Sequence, residues 1–146
     1  MQRPQAAPPA RWEHFPHDAD LGVRGYGRTL AEAFEQTALA LAAAVVDPRT
    51  VAAADTIDIV CEAPSEELLL VDWLNAVIYE MATRNLCFAS FGVETDGKRL
   101  RAQARGEPLD PAKHDLGVEA KGATYTALRV AREADGTWLA QCIVDV

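Results

Sequence analysis

The sequence lacks the excess of basic side chains with which proteins hold free nucleic acid. Lys and Arg number 14 against 22 Asp and Glu, which gives a formal net charge of −8 at pH 7. Binding to nucleic acid depends largely on neutralising phosphates with Lys and Arg. We therefore expect no direct, stable binding of nucleic acid. An acidic chain is better suited to a cation or to a basic protein partner.

Cysteines and long apolar runs are also scarce. Cys61, Cys87 and Cys142 are odd in number and form no Cys-x-x-Cys or Cys/His cluster, so neither a disulfide framework nor a zinc site is predicted. No apolar run approaches the ~20 residues that span a bilayer, and the N-terminal residues lack the apolar stretch of a signal peptide. A cytoplasmic protein without membrane association is expected.

The common signatures of enzymes are absent too. There is no Gly-x-Ser-x-Gly elbow and no glycine-rich phosphate loop followed by Lys-Ser or Lys-Thr. His114 is the one candidate general acid or base, because imidazole titrates near neutral pH. A small hydrolase using Asp20, His114 and a metal-activated water is one interpretation. A surface histidine without function is the favoured one, and we expect no catalytic residue.

Two amphipathic helices are predicted from capping residues and apolar periodicity. Thr29 and Glu32 form a capping box, in which each side chain bonds a free backbone N–H at the start of a helix. Pro48 ends that helix, because proline disfavours helical geometry in the residue before it. A second helix starts after Ser65 and runs to about Arg84, with Leu70, Trp73, Leu74, Val77, Ile78 and Met81 on one face.

The remaining elements are predicted to be strands. They comprise residues 12–15, 21–26 and 56–61, and the two sides of the tight-turn dipeptides Asp96-Gly97 and Asp135-Gly136, with residues 125–132 facing residues 137–146. Two helices with apolar faces need a sheet to cover. We therefore predict an α+β fold, a two-layer α/β sandwich with both helices packed on a mainly antiparallel sheet. Residues 1–11 are predicted to be a flexible tail and residues 12–146 a single domain.

Carboxylates at both ends of the domain form a candidate metal site. Asp18 and Asp20 share one face in extended chain. Asp145 ends an apolar strand, one residue from the α-carboxylate of Val146. Oxygen ligands of this kind suit calcium or magnesium rather than zinc or copper. The alternative is that these acids only face water. If Asp20 and Asp145 converge, three carboxylates can hold one ion.

A basic strip is the remaining candidate. Arg99, Arg101 and Arg105 alternate along one strand, so they share a face that could touch RNA phosphates. A solvated face of an antiparallel sheet is the favoured interpretation.

Several short segments resemble segments of the archease family and occur in the same order along the chain. They are residues 12–27, which contain His17-Asp18-Ala19-Asp20, residues 29–34 and 68–75, Gly106-Glu107, Lys113-His114, residues 119–125 and Asp145-Val146. Together they span nearly all of the chain after the predicted tail. Asp18 departs from the family pattern, which usually has threonine there, and Ala120 and Gly122 replace larger residues.

The resemblance implies a role in RNA ligation. Archeases are thought to be non-catalytic accessory proteins that activate the RNA ligase RtcB, promoting its guanylylation and multiple turnover in tRNA splicing and RNA repair. The family's divalent-cation ligands map onto Asp20, Asp145 and the terminal carboxylate of Val146. We expect contacts with ligase or nucleotide among Asp18, Lys113, His114 and Lys121. The alternative function is a general chaperone-like module for nucleic-acid-modifying enzymes.

Overall fold

A computed structural model describes residues 10–146 of the chain. The elements are β1 (Arg11–His17), β2 (Asp20–Gly27), α1 (Leu30–Val45), a 3-10 turn (Pro48–Thr50), β3 (Asp55–Glu62), α2 (Glu66–Arg84), β4 (Leu86–Thr95), β5 (Arg99–Pro108), β6 (Gly122–Ala123), β7 (Arg129–Arg132) and β8 (Trp138–Asp145). Most of the predicted tail lies outside the described residues. Arg11, however, pairs with Tyr26, so the first strand begins one residue before the predicted domain boundary.

The strands form two antiparallel sheets rather than a single one. The first sheet has the order β1-β2-β8-β6, and β7 also pairs with β8; the second has the order β3-β5-β4. Helix α1 packs against β2 of the first sheet and β4 of the second. The predicted α+β class, with two helices on antiparallel sheet, is confirmed. Neither helix has the length and apolar character needed to cross a membrane.

Local capping explains where the helices begin. Thr29 accepts a hydrogen bond from the backbone N–H of Glu32 at 3.1 Å, as predicted. The Glu32 carboxylate accepts from the N–H of Arg28 rather than that of Thr29, at 3.3 Å, so the capping box is displaced by one residue. Ser65 caps α2 by accepting from Leu68 N–H at 3.2 Å. Both predicted helices are confirmed.

The core lies between the helices and the two sheets. Trp73 of α2 is fully buried, and its indole N–H donates to the carbonyl of Phe34 in α1 at 3.0 Å. Helix α1 also lies very close to β2, because a Cβ added to Gly25 would overlap the backbone N–H of Thr37. Glycine is required at this close approach. Helix α1 therefore fixes the position of β2, the strand that carries Asp20.

The predicted long strand opposite β8 is interrupted. On the side of β8 away from β2, the pairing is divided between the short strands β6 and β7, which a turn separates. Within this turn Ala127 has a φ of 51°, in the left-handed region that breaks a strand. The prediction of continuous pairing over residues 125–132 is therefore wrong for its first half. The turn is held to β8 through Thr124, whose N–H and hydroxyl both donate to the carbonyl of Ile143 at 2.9 Å.

Candidate functional site

The β1–β2 hairpin positions Asp18 and Asp20. His17 pairs with Asp20 across a two-residue turn. Asp18 is the first turn residue and has a φ of 51°, a conformation that Asp adopts more readily than β-branched threonine. The turn places the exposed Asp18 side chain at the end of the hairpin and makes half-buried Asp20 the first residue of β2.

The pairing of β2 with β8 brings Asp20 to the end of the chain. Leu21 is opposite Val144, and the backbone N–H of Val146 donates to Oδ1 of Asp20 at 3.4 Å. We call Asp20, Asp145 and Val146 the carboxylate tip. Asp20 and the residues Asp145 and Val146 thus meet where the neighbouring strands β2 and β8 end, on the same side of the sheet.

Strand β6 places Lys121 beside the carboxylate tip. Gly122 pairs with Asp145, and the N–H of Lys121 donates to the carbonyl of Asp145 at 2.8 Å. Helix α2 holds this strand through Asn75, whose Oδ1 accepts from the N–H of Ala123 at 2.8 Å. The exposed Lys121 is therefore fixed next to the carboxylates by its backbone.

The chemistry of the carboxylate tip suits a hard cation. Its donors are oxygens only, the ligand type that calcium and magnesium prefer. Within residues 10–146 no ion pair involves Asp18, Asp20 or Asp145, so their charges are not neutralised by a basic side chain. His17, which pairs with Asp20 in the hairpin, has a buried Nδ1 atom that finds no hydrogen-bond partner among residues 10–146. Buried polar atoms are normally satisfied, which favours a bound water or hydrated ion nearby.

The tip differs from a site built only from side chains. Across the described part of the chain, no three His, Cys, Asp or Glu side chains converge in a metal-binding arrangement. The predicted ligand set contains two such side chains and takes its third carboxylate from the backbone of Val146. Asp18 does not complete a three-side-chain cluster with Asp20 and Asp145.

A second polar cluster surrounds Glu107 at the end of β5. Its Oε2 atom accepts from the N–H of Ala52 at 2.6 Å, from Nζ of Lys113 at 2.7 Å and from Nε2 of His114 at 3.1 Å. These hydrogen bonds lower the pKa of Glu107 to about 2. The bond from the Ala52 N–H has the largest effect, and those from Lys113 and His114 add to it. Glu107 stays ionised and ties three separate segments together.

His114 is an internal residue of this cluster. It is 1% exposed, and its Nδ1 accepts from the N–H of Asp110 at 3.0 Å, so the ring proton lies on Nε2 and is donated to Glu107. Both ring nitrogens are engaged within the protein, so the ring is not presented at the surface. Lys113 is half-exposed and paired with Glu107. In residues 10–146 neither residue forms a hydrogen bond or ion pair with the carboxylate tip. The contacts with ligase or nucleotide expected for Asp18, Lys113, His114 and Lys121 stay predictions.

The cysteines have the properties of packing residues. Cys142 is fully buried, and burial raises the pKa of its thiol to about 12. Burial, with the negative charge of Asp72 nearby, raises the pKa of the Cys61 thiol to about 11. Burial also raises the pKa of Cys87. Thiols protonated in this way are poor nucleophiles.

The basic strip on β5 is balanced by acids on its neighbours. Arg99 is opposite Glu62 and Arg101 is opposite Glu94, and Arg99 forms an ion pair with Glu62 at 3.6 Å. Such a face offers little net positive charge for phosphates. The interpretation as a solvated sheet face is supported.

Two residues of structural importance were not among the predicted site residues. Glu107 was noted only within a resembling segment, because the chain segments that it joins are far apart in sequence. Asn75 lies in α2 between the fully buried residues Leu74 and Val77. A polar residue inside an apolar helical stripe needs a partner, and that signal could have identified it.

The chain is similar to known proteins in both sequence and fold. Residues 12–146 match the Archease protein family (MTH1598/TM1083). The chain is 42% identical to the protein archease of Pyrococcus furiosus and 40% identical to that of Thermococcus gammatolerans, each over 93% of this chain and 99% of the relative. It resembles the solution structure of protein 1598 from Methanobacterium thermoautotrophicum, with a TM-score of 0.79, 29% identity, and coverage of 92% of this chain and 98% of that one.

A more distant likeness supports the fold alone. The crystal structure of an archease from Thermotoga maritima, described as a possible chaperone, superposes with a TM-score of 0.59 at 16% identity, covering 99% of this chain and all of that one. The match of the family model over residues 12–146, together with the identity to curated archeases, is decisive. The chain belongs to the archease family.

Proposed function

We propose that this archease is a non-catalytic, cation-binding accessory protein that activates an RtcB-type RNA ligase. The observation that carries the proposal is the hydrogen bond between the N–H of Val146 and Oδ1 of Asp20. It joins the first residue of β2 to Val146, and this contact supports a site in which the carboxylates of Asp20, Asp145 and Val146 would bind one ion. Membership of the archease family supports the choice of partner.

The residues of the carboxylate tip have separable roles. Asp20, Asp145 and the terminal carboxylate of Val146 would bind calcium or magnesium, which supplies the positive charge that offsets their mutual repulsion. Strands β2 and β8 fix the backbone on which these carboxylates stand. The N–H of Lys121 donates to the Asp145 carbonyl and so fixes the backbone of Lys121 next to the carboxylate tip.

Charge supports an RNA-handling partner. A ligase that holds RNA needs basic side chains for the phosphates, and this chain carries a net charge of −8. Complementary charge favours fast association of such proteins. The archease then promotes guanylylation and turnover by binding the active conformation of the ligase more tightly than the inactive one. We place this role in the cytoplasm, in tRNA splicing and RNA repair, without stable binding of RNA by the archease itself.

The test is turnover of the cognate RtcB ligase on RNA ends with and without this protein. Wild-type protein should convert a reaction that stalls after about one turnover into a multiple-turnover reaction. Asp145→Ala should reduce that stimulation at least ~10-fold, the effect of losing about 1.4 kcal/mol of binding or activation. The matched control is Asp58→Ala, an exposed acid on β3. If the wild-type protein leaves turnover unchanged, the activator role is excluded.

A chaperone-like role is the second candidate. The archease of Thermotoga maritima is described as a possible chaperone, and this chain exposes the apolar side chains of Tyr79, Leu116 and Tyr125, which could hold unfolded clients. This function predicts protection of unrelated nucleic-acid-modifying enzymes against thermal aggregation. Such protection should be the same in wild type and Asp145→Ala, unlike ligase stimulation.

A further inference from the structure

An apolar groove lies beside the carboxylate tip. It has a volume of about 470 Å³ and lies between the C-terminal half of α2 and residues 116–120. Its apolar side chains include Ile78, Met81, Leu86, Leu109, Leu116 and Val118. Leu116 and Val118 are 60% and 40% exposed. Apolar side chains that remain this exposed around a groove are typical of interaction surfaces.

The backbone on one side of the groove is held rigidly. The N–H of Gly117 donates to the carbonyl of Val45 at 2.8 Å, and that of Val118 donates to Ala44 at 3.0 Å. These bonds satisfy carbonyls of the last turn of α1, which lack partners within the helix. A Cβ added to Gly117 would overlap the Ala44 oxygen, so glycine permits this close approach. Leu116 is therefore presented from a fixed loop, which lowers the entropy lost on binding.

The groove continues to the carboxylate tip. Ala120 lines the groove, and the next residue, Lys121, donates its N–H to the carbonyl of Asp145. A partner that reaches Asp145 is therefore one residue away from the end of the groove. A single partner surface can cover both features.

The charge around the groove identifies the kind of occupant. Leu116 and Val118 are flanked by the exposed acids Asp115 and Glu119, and Asp145 lies beyond the groove. A basic segment with an apolar side chain complements this surface. A second copy of this chain complements it less well, because each copy carries a net charge of −8 and two acidic chains repel each other.

We propose that the groove binds an apolar side chain from a basic segment of the same RNA ligase, next to the segment that receives the carboxylate tip. This inference rests on the proposed function. It divides the interaction into an apolar anchor, which supplies affinity, and a carboxylate tip, which supplies activation. The two can be separated by mutation because they use different side chains.

The experiment measures the dissociation constant of the cognate ligase for wild type and for a Leu116→Ser/Val118→Ser double variant. Calorimetric titration with calcium chloride and a thermal melt accompany each protein. The double variant should bind the ligase ~10-fold more weakly, equivalent to about 1.4 kcal/mol, with unchanged affinity for calcium and unchanged folding. The matched control is Val60→Ser, a 74% exposed apolar residue on β3, which should bind like wild type. Glu119→Gln should weaken ligase binding at low salt and lose this effect at high salt.

The outcomes separate this inference from the proposed function. If wild type binds and stimulates the ligase and the double variant binds equally well, the groove is not a docking site, while the activator role stands. If wild type neither binds nor stimulates the ligase, both fail. If the double variant loses only a concentration-dependent self-association seen by sedimentation, the occupant is a second copy and the ligase docking is wrong.

Discussion

The side-chain amide of Asn75 in α2 forms two hydrogen bonds with the backbone of Ala123 in β6. Its Oδ1 accepts from the Ala123 N–H at 2.8 Å, and its Nδ2 donates to the Ala123 carbonyl at 3.4 Å. Strand β6 has two residues and little pairing of its own. The position of Lys121 beside Asp145 therefore depends on helix α2, which holds strand β6 through Asn75.

Replacing Asn75 with alanine should loosen this arrangement. Loss of two hydrogen bonds to half-buried backbone should lower the free energy of unfolding by about 1–2 kcal/mol, as measured by urea denaturation. Calcium affinity should fall as well, because Lys121 no longer holds the Asp145 carbonyl. Thr83→Ala in the same helix, which loses only an exposed bond to the Tyr79 carbonyl, is the control. An Asn75→Ala variant as stable as this control would contradict the assigned role.

Calcium should stabilise the folded protein through the carboxylate tip. A ligand that binds only the folded state at 100 times its dissociation constant adds about 2.7 kcal/mol to the free energy of unfolding, visible as a rise in Tm. Asp20→Asn and Asp145→Asn should lose most of this rise. Asp18→Asn should keep it, since Asp18 completes no cluster with the other two. A full calcium response in Asp20→Asn would remove this residue from the site.

Gly117→Ala tests the close packing of the groove loop on α1. The new methyl group meets a backbone carbonyl that cannot move aside, and such overpacking should cost about 1–3 kcal/mol of unfolding free energy. Ligase affinity should also decrease, because Leu116 and Val118 shift. Gly92→Ala is the matched control, since an added Cβ there has no neighbour closer than the Arg105 side chain at 3.7 Å. Equal stability of the two variants in a denaturant titration would show that the loop is free to adjust.

Glu107 should make the stability depend on pH in acid. The folded pKa is about 2 against an ordinary value of 4.5, so the unfolded state binds more protons between these values and folding is favoured as pH rises through them. The stability advantage of wild type over Glu107→Gln should therefore be complete above about pH 5 and should shrink as pH falls towards 2. Denaturant titrations of both proteins from pH 2 to 7 measure it. An advantage that is constant across this range would mean that the charge of Glu107 is not responsible.

The sequence predicted local elements better than strand pairing. The start of α1 is determined by Thr29 and Glu32, which are three residues apart, so its capping is visible in a short window. The division into two sheets depends on partners such as Arg24 and Gln141, whose side chains are bonded across 117 positions. Periodicity indicates which residues form strands but contains no information on which strands pair.

The candidate site was predictable in its parts but not in its assembly. Asp20 and Asp145 were recognisable as acids at strand ends, whereas their approach depends on the register that places Leu21 opposite Val144. His114 shows the reverse case. Its loop sequence favours exposure, yet Glu107 and the Asp110 N–H satisfy both ring nitrogens and allow burial. Burial of a polar residue depends on such distant partners.

The central place of β8 has a consequence for biosynthesis. This strand pairs with β2, β6 and β7, so the larger sheet cannot close before residues 138–145 leave the ribosome. Strands β3, β4 and β5, with α2 between the first two, are complete well before that. Until then β2 has β1 and α1 as neighbours, and its edge towards β8 is unpaired. A chain truncated before Trp138 would leave the backbone N–H and C=O groups on that edge of β2 free to pair with strands of other chains.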